Sequence, residues 1–182
     1  MYFDKPGRNN TEQTLKLAFA RGKELGLNEV VVASSGGDTA YAALEIFKEF
    51  KVVVVTTHCG SGKPFEPVMP ADVKTDLQKK GAAVVTASHA LSGVERSLLK
   101  KHAGVYPVLI MADTLRLFGQ GMKVVAEIAV MASDAGSLSG NDIVSVGGTG
   151  EGADTAVILK PAHQHTFFDM RIREIICKPR KF

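Results

Sequence analysis

Short apolar runs alternate with amphipathic stretches along this chain, and the alternation predicts strands and helices in turn. Unbroken runs of β-branched residues, such as the four valines at 52–55, are typical of strands covered on both faces of a sheet. The last predicted strand begins at about Phe167, and Pro179 ends it. The predicted strands cover residues 30–32, 51–57, 82–86, 108–111, 142–146, 156–159 and 167–177.

Apolar residues at helical spacing occupy most of the intervals between these strands. The first predicted helix lies between Asn10, which has N-cap spacing, and Gly26, which ends it. Ser92 and Glu95 have the spacing of a capping box, so a helix is expected to begin there. The other predicted helices cover residues 40–47, 71–80 and 113–133, the last interrupted only by two glycines.

This order of elements predicts an α/β fold, in which a mostly parallel sheet forms the middle layer of a three-layer α/β/α sandwich. Residues 1–182 are expected to form one domain, because the length suits a single core and no linker or repeat interrupts the pattern.

Composition narrows the functional classes. The net charge is +3 and no dense stripe of Lys and Arg is present, which argues against nucleic-acid binding. Two cysteines are too few for a disulfide framework, and no apolar run reaches membrane-spanning length. The polar N-terminal residues do not have the pattern of a signal peptide, so we expect a cytoplasmic protein without membrane partners.

The strongest candidate site is the turn between the strand at 30–32 and the helix that follows it. Two glycines there allow the backbone to approach a ligand closely, and the start of a helix offers unpaired N–H groups to an anion. Hydroxyl groups flank them, so a phosphate is the expected occupant, and an ordinary capped turn is the alternative. The residues of this candidate loop are Ser34, Ser35, Gly36, Gly37 and Thr39.

A second Gly-rich loop covers residues 147–155 and follows another predicted strand. Because parallel strands end at the same edge of a sheet, both loops are expected to face one ligand there.

Other candidate groups follow the strands at 51–57 and 82–86. His58 and Cys59 end the first of these strands, where a Cys–His pair is conceivable, although adjacent strand residues usually point to opposite faces. His89 lies on the loop after the second strand. The neighbouring His163 and His165 lack a third ligand nearby, so we expect no metal site.

Glu127 stands alone as a carboxylate in an almost entirely apolar helical stretch. Such a group needs a partner or a polar cavity, and Lys123 is four residues earlier on the same helical face. The sequence leaves both interpretations open: a structural ion pair, or a carboxylate that faces a site.

The two polar loops resemble those of the C-terminal domain of pyruvate kinase, in which a similar Ser/Thr–Gly loop holds a phosphate of an allosteric sugar bisphosphate. The closer resemblance is to stand-alone pyruvate kinase α/β-domain-like proteins, found chiefly in archaea and some bacteria. It extends over nearly the whole chain. The segments that carry it are 5–12, 31–40, 88–93, 114–116, 121–124, 147–149 and 152–156.

The resemblance implies FMN as cofactor and no pyruvate kinase activity, because the barrel domain that performs that catalysis is not in this sequence. It places the FMN phosphate on the candidate loop. In that family two histidines often follow the second strand, whereas Cys59 follows His58 here, so the resemblance carries over no role that needs the second imidazole. The ring and ribityl chain are expected at His58, Ser88, His89, Ala90, Leu91, Ser92, Thr114, Arg116, Gly148, Thr149, Asp154 and Thr155.

The leading functional hypothesis is therefore an FMN-binding protein of the oxidoreductase class whose reaction is not established. The alternative is a non-catalytic sensor of a phosphorylated metabolite or nucleotide, and a hydrolase that uses His58 or Asp154 has the least support. An apolar edge strand at 167–176 usually needs covering, which makes a homo-oligomer an expected state.

Overall fold

A seven-stranded sheet forms the centre of the structure, a computed structural model that describes residues 1–182. The strands are β1 (Tyr2–Phe3), β2 (Glu29–Ala33), β3 (Lys51–Thr56), β4 (Ala83–Thr86), β5 (Ile143–Gly147), β6 (Thr155–Lys160) and β7 (Arg171–Pro179). The helices are α1 (Thr11–Glu24), α2 (Asp38–Ile46), α3 (Ala71–Lys79), α4 (Gly93–His102), α5 (Pro107–Arg116) and α6 (Gln120–Asp134).

The sheet has the strand order β1-β7-β6-β5-β2-β3-β4. Four of its pairs are parallel: β1 with β7, β2 with β3, β2 with β5, and β3 with β4. Only β6 runs against its neighbours β5 and β7. The prediction of an α/β fold with a mostly parallel sheet is confirmed.

Two apolar cores cover the two faces of the sheet. Val30 and Val32 belong to the core under α1, α2 and α3, whereas Val31 between them belongs to the core under α6. This alternation follows from the strand geometry, in which successive side chains point to opposite faces. Helix α5 packs on α6, and α4 packs on α5. No helix is both long and apolar enough to cross a membrane.

The region from 107 to 133 differs from its prediction in two ways. Residues 108–111 are not a strand but belong to α5, which Pro107 begins at a position where its missing N–H has no cost. The single helix predicted at 113–133 is two helices, α5 and α6. Gly119 separates them with a φ of 112°, a conformation that ends a helix and that glycine adopts without strain.

The C-terminal strand is also shorter than predicted. Residues 164–169 form a 3₁₀ turn, and only the stretch from Arg171 onward pairs with β6. The short β1, which the sequence pattern did not predict, pairs with β7 only at Lys178 and Pro179. The Met1 ammonium also donates a hydrogen bond to the Ile176 carbonyl at 2.7 Å, so the open edge of β7 is the stretch before Ile176.

The predicted capping box at Ser92 does not form, although α4 does begin there. Ser92 is the N-cap residue but makes no side-chain capping bond. The carboxylate of Glu95 instead accepts a hydrogen bond from the Val108 amide, at 2.9 Å, near the start of α5. The first amides of a helix have no intrahelical acceptor, so Glu95 ties α4 to α5.

Candidate functional site

A cavity of about 1080 Å³ opens at the edge of the sheet where β2, β3 and β5 end. The neighbours of β2 are β3, which follows it in the chain, and β5, which comes much later. A strand whose two parallel neighbours lead in opposite directions leaves a crevice at its carboxyl end, where open α/β sheets bind ligands. The loops after these strands, the N-terminal segment and α6 form the walls.

The turn from β2 into α2 presents consecutive backbone amides, at residues 35–39, that donate no hydrogen bond within the protein. A Cβ on Gly36 would meet no heavy atom within 4 Å, so the turn is open on its cavity side. Gly37 has a φ of 116°, and a Cβ there would lie 2.6 Å from Val73 Cγ1. Glycine at 37 therefore lets the chain turn against α3, and free amides at a helix N-terminus suit an anion.

The hydroxyl groups of this loop have different tasks. Ser34 is buried, and its Oγ accepts a hydrogen bond from the Ala40 amide at 3.2 Å, so it is an acceptor for an amide in the first turn of α2. Ser35 Oγ lies 2.9 Å from Thr57 Oγ1, which connects the loop to the end of β3. Ser34, Ser35 and the buried Thr39 all line the cavity.

Asp154 anchors the second Gly-rich loop from within. Its side chain is fully buried, and its two carboxylate oxygens accept three hydrogen bonds. The donors are the Gly7 amide at 2.9 Å, the Thr149 amide at 3.2 Å and Thr155 Oγ1 at 2.7 Å. Asp154 and Thr155 therefore hold the loop in place. Neither residue lines the cavity.

The same loop packs closely on the N-terminal segment. A Cβ on Gly152 would lie 2.6 Å from Arg8 Cα, and the Ala153 amide donates to Thr11 Oγ1 at 3.0 Å. Thr149 Oγ1 is buried and has no hydrogen-bond partner. A buried hydroxyl without a partner is uncommon in proteins, and this one lies outside the cavity walls.

Asp154→Ala tests this anchoring role. Without the carboxylate, two backbone amides and one hydroxyl lose their acceptor, and we expect the free energy of unfolding to fall by about 2–3 kcal/mol. Urea denaturation followed by circular dichroism measures the change. The control is Asp169→Ala, at an exposed carboxylate without a hydrogen bond, which is expected to stay within about 0.5 kcal/mol of the parent. Equal effects of the two variants would contradict the anchoring role.

Arg8 is a cavity residue that the sequence analysis did not identify. Its guanidinium lies 3.3 Å from the Asp38 carboxylate and 3.9 Å from that of Glu151, and all three side chains are largely exposed. Arg8 thus links the N-terminal segment to both loops at the cavity mouth. No local signal marks it, because the residues that it joins are distant in sequence.

Titratable side chains meet at the α6 side of the cavity. Glu127 lines the cavity wall and also forms a buried ion pair with Lys123. It is therefore both a member of a structural ion pair and a carboxylate that faces the site, the two interpretations that the sequence left open. Its other oxygen accepts a hydrogen bond from the Leu91 amide at 2.9 Å. Burial lowers the pKa of Lys123, although the Glu127 carboxylate opposes that shift.

His89 lies beside this pair, and its ring centroid is 4.9 Å from that of His58 in an edge-to-face arrangement. Burial is the largest cause of a lowered His89 pKa. His58 Nδ1 donates a hydrogen bond to the Cys59 carbonyl at 2.8 Å.

The cavity thus gathers only part of the predicted set. The predicted residues that line it are Ser34, Ser35, Gly36, Thr39, His89 and Gly148. The predicted residues that lie outside its walls are Gly37, His58, Ser88, Ala90, Leu91, Ser92, Thr114, Arg116, Thr149, Asp154 and Thr155. Among these, Thr114 donates to the Ile110 carbonyl and Arg116 bonds Asp113 and Gln120, so both serve the α5–α6 junction.

No group of three His, Cys, Asp or Glu side chains is arranged to hold a metal ion. His163 and His165 do stack on each other at 5.7 Å, but His163 Nδ1 bonds the Asp134 carboxylate at 2.8 Å.

Known proteins and protein families show similarity to this chain. A solved structure of pyruvate kinase from Cryptosporidium parvum, in complex with ADP, aligns with 81% of this chain at 12% identity and a TM-score of 0.39. This chain spans only 22% of that protein. The family described as "Pyruvate kinase, alpha/beta domain" matches residues 12–159, which include both polar loops and α6. This match covers most of the chain, and the protein therefore belongs to the pyruvate kinase α/β domain family.

Proposed function

We propose that this protein binds FMN in the cavity at the carboxyl edge of the sheet and acts as a flavin-dependent oxidoreductase. The observation that carries the proposal is the open row of unpaired amides at 35–39, which faces a cavity of about 1080 Å³. Ligand pockets for drug-sized molecules reach about 1,000 Å³, so a molecule of FMN size has sufficient room.

The chemical character of the walls fits the parts of FMN. The amides at 35–39, with the hydroxyls of Ser35 and Thr39, would hold the phosphate at the start of α2. Val124, Ile128 and Met131 of α6 provide an apolar wall for a flat ring. Bound FMN would supply electron or hydride transfer, and the protein would bind and orient it.

The charges around the cavity favour a ligand with one phosphate over a bisphosphate. Its two wall cations are already paired, Arg8 with Asp38 and Glu151, and Lys16 with Glu12. The acidic wall residues outnumber them and are Glu12, Asp38, Glu45, Glu127 and Glu151. A second phosphate would have to lie near these carboxylates, which repel it.

The test is titration of the purified protein with FMN, followed by visible absorption and by quenching of flavin fluorescence. We expect saturable binding that inorganic phosphate weakens by competition. Gly36→Val adds a side chain on the cavity side of the amide row, where nothing in the protein opposes it. It should lose about 1.5–3 kcal/mol of binding through displaced charge-assisted hydrogen bonds, which is about 10–150-fold in Kd.

Gly93→Ala is the matched control. A Cβ at this position, the first residue of α4, also meets no heavy atom within 4 Å, and Gly93 does not line the cavity. This variant should bind FMN as the parent does. Absence of FMN binding to the parent, or equal binding by Gly36→Val, would contradict the proposal.

The second candidate function is a sensor of another phosphorylated metabolite. It is favoured by the same row of amides, because those groups recognise a phosphate whatever it is attached to. Thermal denaturation with sugar monophosphates and nucleotides distinguishes the two. A protein that ignores FMN but is stabilised by one of these compounds, in a manner that Gly36→Val abolishes, would establish the sensor instead.

A further inference from the structure

His89 and Glu127 stand apart from the phosphate loop, at the α6 side of the same cavity. Both residues line its wall, and neither is needed to hold a phosphate at residues 35–39. Strand β3 separates β2 from β4, so the loop that carries His89 lies two strands away from the phosphate loop. Strands are spaced about 4.8 Å apart, so the ends of β2 and β4 lie about 10 Å from each other, and the His89 loop is remote from a phosphate held at residues 35–39.

The Glu127 carboxylate is held rigidly in this wall. One oxygen accepts from the Leu91 amide at 2.9 Å, and the other pairs with the buried Lys123 ammonium. Leu91 is two residues after His89, so this hydrogen bond also fixes the loop on which His89 lies. Glu127 therefore sets both the position and the electrostatic environment of the imidazole.

The charged groups that face His89 oppose one another. From α6, Glu127 favours the imidazolium while Lys123 disfavours it. From the loop after β3, His58 packs edge-on at 4.9 Å and also disfavours a second positive charge, as does Arg96 of α4. Burial also disfavours the charged imidazolium and is the largest of these effects, so the pKa of His89 is lowered. These effects together favour the neutral imidazole, which has a nitrogen free to accept a proton.

We propose that His89 is the group that exchanges a proton with the ligand bound in this cavity, and that Glu127 is its positioning residue. The ligand class is a molecule anchored by one phosphate whose body carries a nitrogen or oxygen that gains or loses a proton. The proton passes from that atom to an imidazole nitrogen of His89, the Glu127 carboxylate stabilises the imidazolium, and the proton then returns to the ligand or to solvent. This inference rests on the proposed function, because it requires an occupied cavity.

The experiment follows the imidazole signals of the whole protein by NMR as a function of pH, without and with saturating FMN. The chain has five histidines, so the signals can be assigned by single substitutions. We expect FMN to shift both the His89 resonances and their titration midpoint, while the resonances of His102 and His163, which do not line the cavity, stay in place. A purely structural His89 would keep the same midpoint in both states.

Two variants test the role of the charges in opposite directions. Glu127→Gln removes the only group that raises the His89 pKa, and should lower its midpoint. Arg96→Gln, at an exposed position of α4, removes an opposing charge and should raise it by a smaller amount without risk to folding. Asp134→Asn is the control, because its carboxylate contacts His163 and not His89, so the His89 midpoint should stay unchanged.

The outcomes separate this inference from the proposed function. If no FMN binds, the proposed function fails and the inference fails with it. If FMN binds while the His89 resonances and midpoint do not move, the inference alone is overturned. If the His89 midpoint stays the same in both Glu127→Gln and Arg96→Gln, the positioning role of Glu127 is overturned.

Discussion

Replacing Lys123 by methionine is expected to lower the free energy of unfolding by about 3–5 kcal/mol, among the largest effects of any single substitution in this protein. The side chains of Lys123 and Glu127 are each about 5% exposed and pair with each other one helical turn apart. Methionine fills much of the same volume, so the loss is chiefly electrostatic. It leaves the Glu127 carboxylate buried without a counter-ion, which is far more costly than the net value of the pair itself.

The double variant Lys123→Met with Glu127→Gln isolates this cause. Its glutamine carbonyl still accepts from the Leu91 amide, and the unpaired charge is gone. We therefore expect the double variant to recover at least half of the stability lost by Lys123→Met alone. Urea denaturation midpoints of the three proteins measure this, at constant slope of the transition. A double variant less stable than the single one would contradict the electrostatic explanation.

Replacing Gly121 by alanine is expected to destabilise the protein by about 3 kcal/mol, although alanine is the better helix former at an ordinary position. A Cβ on Gly121 would lie 2.5 Å from Thr155 Cβ and would also overlap Thr155 Oγ1. Thr155 cannot withdraw easily, because it is fully buried in β6 and its hydroxyl donates to Asp154 at 2.7 Å. Any shift of Thr155 that relieves the overlap would also disturb its hydrogen bond to Asp154, the residue that anchors the second Gly-rich loop.

The sign of the stability change distinguishes the overlap with Thr155 from an effect of helix propensity. Gly93→Ala places the same methyl group in open space at the start of α4, where we expect a gain of about 0.4–1 kcal/mol from the restricted unfolded chain. Differential scanning calorimetry of the two variants and the parent gives both values. If Gly121→Ala were as stable as the parent, close packing of α6 on β6 would not be what requires glycine there.

These two predictions concern the same helix for different reasons. Helix α6 separates a cavity wall, formed by Val124 and Glu127, from an almost fully buried face that packs on the sheet. Its ion pair and its glycine are both adaptations to this position between core and cavity. The candidate site is thus built on a rigid element of the core, which favours a fixed geometry for whatever binds there.

The sequence by itself determined the features that depend on local spacing. The β-branched runs predicted β2 and β3, because such runs suit strands buried on both faces. Consecutive β–α units then required a mostly parallel sheet, with the loops at 34–39 and 147–155 at one edge. The spacing of four residues between Lys123 and Glu127 was enough to indicate their pairing once a helix was assumed.

Only the tertiary structure decided the features that depend on contacts between distant residues. Arg8 reaches the cavity because the N-terminal segment packs on Gly152, and Asp154 became an anchor because the Gly7 amide comes to it. Helix α5 formed where a strand was predicted, since a short apolar run suits either element until its neighbours are known. In each case the free energy that decides the structure comes from burial and hydrogen bonding between residues distant in sequence. The local pattern of residues carries no information about those contacts.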